Sequence, residues 1–118
     1  MRELTRSIKS LSRYAEESEK SIEAYLVRKT RAAGGLCLKF TSHVDTGYPD
    51  RLLLLPGGKT AWVEVKSKGC KPRRLQSLRM RELSGLGFSV HVADSKEKVD
   101  AILEGVAAEP SLTEKEQR

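Results

Sequence analysis

Gly47-Tyr48-Pro49-Asp50-Arg51-Leu52-Leu53-Leu54-Leu55-Pro56-Gly57-Gly58-Lys59-Thr60-Ala61-Trp62-Val63-Glu64-Val65-Lys66-Ser67 is the stretch on which the reading of this chain turns. Leu52 to Leu55 form a short continuous apolar run bounded by turn residues, which predicts a strand buried on both faces. Beyond Pro56-Gly57-Gly58, the residues Ala61, Val63 and Val65 alternate with Trp62, Glu64 and Lys66, the period of a second strand. Two strands joined by Pro-Gly-Gly pair as an antiparallel hairpin. Glu64 and Lys66 stand two apart and so project from one face, while Asp50 opens the preceding strand.

Working upstream, Leu36, Leu38 and Phe40 alternate with Cys37 and Lys39, the pattern of a half-buried strand, and Gly47 and Pro49 make 41–49 a loop. Before it, Ser18 or Ser21 caps a helix that carries Ile22, Tyr25, Leu26 and Ala33 on one side and stops at Gly34-Gly35. Downstream, a basic loop from Lys68 to Arg74 leads into a helix with Leu75, Leu78 and Leu83 on its inner stripe, stopped by Gly85 and Gly87. Phe88, Val90 and Val92 mark a fourth strand. Ser95 caps a last helix, whose Val99, Ile102, Leu103 and Val106 recur at helical spacing. The order helix, three strands, helix, strand, helix predicts the α/β class, with helices flanking a mixed sheet. The expected organisation is an N-terminal helical extension at 1–17 with a sparse stripe of Leu4, Ile8, Leu11 and Tyr14, a domain at 18–107, and a disordered polar tail at 108–118.

The 118 residues suit one compact domain, and 38% hydrophobic residues suffice for its core. A net charge of +6 points toward a polyanionic partner. Cys37 and Cys70 are too few and too isolated for a disulfide framework or a zinc site, and His43 and His91 are solitary as well. No apolar run approaches the roughly 20 residues that span a bilayer, so no membrane partner is expected. The charged start, Met1 to Arg6, has no hydrophobic stretch behind it and does not read as a secretory signal. The expected compartment is the cytoplasm, of a bacterium or of a phage-infected host cell.

Two carboxylates converging from paired strands make a hard oxygen site suited to Mg²⁺, with Mn²⁺ as the alternative, and such an ion can polarise a phosphate and acidify a water. The ammonium of Lys66 could orient or deprotonate that water, or offset charge in the transition state. Glu-x-Lys by itself is common on solvent-facing strands, and an Asp after Pro often only starts a turn. The combination is what carries information: Gly-Tyr-Pro-Asp directly before one strand and Glu-Val-Lys at the end of the next.

That combination resembles the virus-type replication-repair nuclease domain, VRR-NUC, a branch of the PD-(D/E)xK superfamily. The likeness runs from about Ser18 to about Leu103 and includes Glu23 in Ser-Ile-Glu-Ala-Tyr-Leu and Gln76 in Arg-Leu-Gln-Ser-Leu. It is greatest to stand-alone, phage-type members. The resemblance implies a restriction-endonuclease-like αβββαβ core. It implies metal ligation by Asp50, Glu64 and the backbone carbonyl of Val65, with Glu23 reaching the metal directly or through water, a catalytic Lys66, and a Gln76 that steadies the water or the DNA backbone. Where related nucleases carry an aromatic four residues after the Gln, this chain has Met80.

The resulting expectation is a metal-dependent DNA endonuclease, structure-specific because no base-reading motif is present, and directed at Holliday or other branched junctions or at duplex DNA. Lys68, Lys71, Arg73 and Arg74 would contact phosphates. A two-fold junction calls for two sites, hence a homodimer. The alternatives are a catalytically idle DNA-binding module on the same fold, or a nuclease subunit of a larger replication or restriction complex.

Overall fold

The computed structural model describes residues 18–111; the expected extension at 1–17 and the tail from 112 onward lie outside the described residues. Three helices, α1 (Glu19–Ala32), α2 (Arg74–Gly85) and α3 (Lys96–Ala107), accompany four strands, β1 (Leu36–Lys39), β2 (Arg51–Leu55), β3 (Lys59–Val65) and β4 (Val90–Ala93). The strands form one sheet in the order β1-β2-β3-β4, antiparallel except for the parallel β3–β4 pair. The mixed sheet and the order of elements follow the sequence reading.

α1 starts where Ser18 Oγ accepts the Ser21 N–H at 3.2 Å, and α3 where Ser95 Oγ accepts the Lys98 N–H at 3.0 Å. Ile22 and Leu26 of α1 and Val99, Ile102 and Val106 of α3 are buried against Leu53, Ala61, Val63, Val65 and Ala93 on one sheet face. Each large aliphatic side chain withdrawn from water in this way contributes roughly 2 kcal/mol. In α1 the last buried position is Thr30 rather than Ala33, and the Thr30 hydroxyl donates to the Leu26 carbonyl at 2.7 Å. That bond removes the cost of burying a hydroxyl.

The other sheet face is covered unevenly, which alters three expectations. α2 crosses the β4 side of the sheet, so Leu83 is buried while Leu75 and Leu78 stay 43% and 47% exposed. Leu36 and Leu38 of the edge strand β1 are 55% and 43% exposed, and it is Cys37 that turns to the core. In β2 only Leu53 is buried: Leu52 and Leu54 lie on the partly covered face opposite α1 and α3, and Leu55, at the strand end, packs on the core but is only partly buried. β4 begins at Val90, leaving Phe88 outside it and half exposed. Of the tail, 108–111 are described. The Glu109 N–H donates to the Val106 carbonyl, and Ser111 comes against the Gly57 turn.

Candidate active site

The hairpin register decides where the candidate residues meet. Arg51 pairs with Val63 and Leu52 with Trp62, so one further step sets Asp50 opposite Glu64. Because successive residues alternate, Asp50, Glu64 and Lys66 share the α2 face, while Arg51 turns to the α1 face. Glu64 is 5% exposed. Its Oε1 accepts from Gln76 Nε2 at 3.2 Å and lies 3.6 Å from Lys66 Nζ. Gln76 sits at the third position of α2, and its own oxygen accepts the Arg73 N–H at 2.8 Å. One amide side chain therefore caps the helix and holds the carboxylate.

Asp50 Oδ1 is buried and has no hydrogen-bond partner, and neither has the nearby indole nitrogen Nε1 of Trp62, two residues before Glu64 on the same face. Burial raises the pKa of Glu64 from 4.5 to about 7, and the Asp50 charge adds to the rise; Lys66 opposes it and Glu19 reinforces it weakly. Two carboxylates held close with one oxygen left unpaired is the donor chemistry a divalent cation satisfies. The family pattern implies a backbone oxygen as well, the Val65 carbonyl. Trp62 and Lys66 give their N–H groups to Ser89 and Ala93 on the β4 side, so by alternation the Val65 peptide turns toward β2. One step beyond the ladder, the residue opposite Val65 is Pro49, which has no N–H to offer its carbonyl.

Glu23 is not brought into this group. Its Oε2 lies 3.4 Å from Arg51 Nε, on the opposite face of the sheet, and Arg51 also donates to the Cys37 carbonyl at 3.4 Å. Among the described residues no third Asp, Glu, His or Cys joins Asp50 and Glu64 in a metal-sized cluster. The α1 acid whose charge reaches Glu64 is Glu19, one helical turn before Glu23, a position the i, i+4 spacing could have suggested. Lys68, Lys71, Arg73 and Arg74 are exposed around the turn where Cys70 N–H donates to the Ser67 carbonyl, on the path from Lys66 to the first turn of α2.

A clamp absent from the sequence reading fixes the loop that delivers Asp50. Arg79 of α2 donates to the Thr46 carbonyl at 3.0 Å and stacks 4.9 Å from the Tyr48 ring, and the Tyr48 hydroxyl donates to Glu82 at 2.7 Å. Phe40 packs edge-on to Trp62 at 4.9 Å and to Tyr48 at 6.2 Å. Gly47 has φ +91°, and a Cβ there would stand 2.7 Å from Leu75 Cγ. No local signal links Tyr48 to residues thirty-four positions later. His91, which the sequence left without a role, is hydrogen-bonded to Ser89 Oγ at 2.6 Å on β4, and burial lowers its pKa.

Comparison with known proteins agrees with this fold. No family model matches the chain. A solved "VRR_NUC domain" superposes with a TM-score of 0.70 at 32% identity, covering 73% of this chain and 94% of that one. The "Putative nuclease p44" of Acyrthosiphon pisum secondary endosymbiont phage 1 is 44% identical over 79 residues, 67% of this chain and 85% of the relative. The chain belongs to the VRR-NUC nuclease family. The Gly-Tyr-Pro-Asp and Glu-Val-Lys segments of this VRR-NUC domain are thus read against a shared nuclease fold. Among its described residues no helix is long and apolar enough to cross a membrane.

Proposed function

We propose that this VRR-NUC domain is a metal-dependent endodeoxyribonuclease that hydrolyses DNA phosphodiesters at a site built by Asp50, Glu64 and Lys66. The observation that carries the reading is the unpaired, buried Oδ1 of Asp50 set opposite Glu64, whose proton affinity is raised. Asp50, Glu64 and the Val65 carbonyl would hold Mg²⁺ or Mn²⁺, which supplies Lewis-acid polarisation of a phosphate oxygen and a more acidic water. Glu64 must be ionised to ligate, and Gln76 keeps its carboxylate aimed. Lys66, 3.6 Å from that carboxylate, orients the attacking water and offsets the negative charge that grows on the phosphorus-bound oxygens. Lys68, Lys71, Arg73 and Arg74 position the backbone. Glu23, occupied by Arg51, has no part in this scheme.

The substrate we favour is branched DNA, Holliday junctions included, because a small basic domain reads backbone and shape more readily than sequence. Paired incisions across a two-fold junction call for a C₂ homodimer. The test is a cleavage assay on linear, flap and four-way DNA, with Mg²⁺, with Mn²⁺ and with chelator, alongside sedimentation of the protein with and without residues 1–17. Metal-dependent paired nicks in the junction, made by a species of twice the chain mass, are expected. Absence of cleavage under every metal condition would overturn the proposal.

A further inference from the structure

A groove of about 500 Å³ runs along the outer side of α1, away from the α2 face that holds Asp50 and Glu64. Its floor is Ala24 and Val27, small enough to leave the helix surface open, and its walls carry Lys20, Arg28, Arg31 and Arg51. The residues 20, 24, 27, 28 and 31 recur at helical spacing, so they form one stripe whose length is about 16 Å, close to the axial rise of five base pairs. The single acid in the groove, Glu23, is already paired with Arg51. Among the described residues Lys20, Arg28 and Arg31 have no carboxylate partner, and Arg28 rests 5.4 Å from the Tyr25 ring. Lys39, directly across the ladder from Arg51, is exposed and extends the positive edge.

A stripe of cations, three of them exposed and without a carboxylate partner among the described residues, over a small-residue floor matches a regularly charged polyanion better than a protein surface, whose charges alternate in sign. Position selects among polyanions. Arg51 follows Asp50 directly, so the groove ends one residue from the candidate catalytic carboxylate, on the other face of the sheet. We infer that the α1 groove is a second backbone track, which takes the phosphodiester chain of nucleic acid on the side of the sheet opposite the 68–74 loop. This rests on the nuclease reading for its substrate, DNA, and goes beyond it in placing a contact surface outside the site. Two basic surfaces flanking one site suit a substrate with more than one arm. In the free protein Glu23 holds Arg51, and a phosphate entering the groove would compete for that guanidinium.

Fluorescence anisotropy of the full chain in chelator, with a labelled duplex and a labelled four-way junction, tests the track over a range of salt. Replacing Lys20, Arg28 and Arg31 together by Ala should weaken junction binding by about tenfold or more and flatten the salt dependence by about three charges. The charge-preserving triple Lys20→Arg, Arg28→Lys, Arg31→Lys should bind nearly as wild type. Affinity within about twofold of wild type with an unchanged salt slope in the alanine triple would overturn the track. So would equal losses in both triples, which would mark the stripe as structural. Loss of binding in the alanine triple of a protein that cleaves under no metal condition would sink the nuclease reading and leave the track standing. Normal binding by the alanine triple of an active nuclease would do the reverse.

Discussion

Gln76 donates to Glu64 at 3.2 Å with one end of its amide and accepts the Arg73 N–H at 2.8 Å with the other, so the orientation of a buried carboxylate is tied to the start of a helix. A side chain used in both ways cannot be shortened without loosening Glu64. Gln76→Ala should lower single-turnover cleavage by about tenfold while DNA affinity stays near wild type, the pattern of an interaction that matters in the transition state. The helix loses half a capping box, on the order of 1 kcal/mol, which thermal unfolding would register.

Lys66 and the loop behind it should separate kinetically. Lys66→Ala is expected to depress turnover far more than affinity, because its proposed work is done on the developing charge. Replacing Lys71, Arg73 and Arg74 together should mainly weaken binding and flatten its dependence on salt. Single-turnover rates and anisotropy titrations on the same preparations measure both quantities. Equal losses in both assays for both variants would show that the two groups act as one.

The carboxylate pair makes the metal-free fold sensitive to pH. Glu64 titrates at about 7 in the folded protein, above its ordinary 4.5, so the unfolded chain releases that proton more readily. Stability from this group is therefore full below about 4.5 and is lost as pH rises through about 7. Asp50→Asn removes a charge that raises the Glu64 pKa. The variant should titrate Glu64 lower by NMR and melt higher than wild type at pH 8 in chelator, though it has lost a proposed metal ligand. A lower melting temperature at that pH would show that Asp50 helps the fold rather than straining it.

Gly47 is held at φ +91° with Leu75 Cγ where its Cβ would be, so Gly47→Ala meets backbone strain and a clash together. We expect a loss of about 1–2 kcal/mol in denaturant unfolding, with a fall in cleavage because the same loop delivers Pro49 and Asp50. Leu75→Ala in the Gly47→Ala background should recover part of the stability by removing the clash alone. Failure to recover any would place the whole cost in the backbone.

Much of the fold is legible in the sequence, and the residues show why. The hairpin is local: an apolar run, a Pro-Gly-Gly turn and an alternating run determine their own pairing, and Asp50 opposite Glu64 follows from that register. The helix starts at Ser18 and Ser95 are local in the same sense. What periodicity could not supply was coverage. Leu36, Leu38, Leu75 and Leu78 read as inward because each fits a buried stripe, yet α2 lies toward β4 and leaves them partly in water. Glu23 stood at the position the family pattern favours, but Arg51, one residue after Asp50 and thus on the other face, engages it. The Arg79–Tyr48–Glu82 clamp joins segments with no pattern in common and could be found only in three dimensions.

The central claim is that Asp50 and Glu64 form a metal-dependent cleavage centre, and one measurement bears on it most directly. Wild type, Asp50→Ala and Glu64→Ala would be compared for cleavage of a four-way junction in Mg²⁺, with DNA binding followed on the same samples. Metal-dependent cleavage by wild type is expected, with at least about a hundredfold loss in each variant and affinity kept or slightly raised because each substitution removes negative charge from the site. Cleavage by either variant at near wild-type rate would contradict the claim.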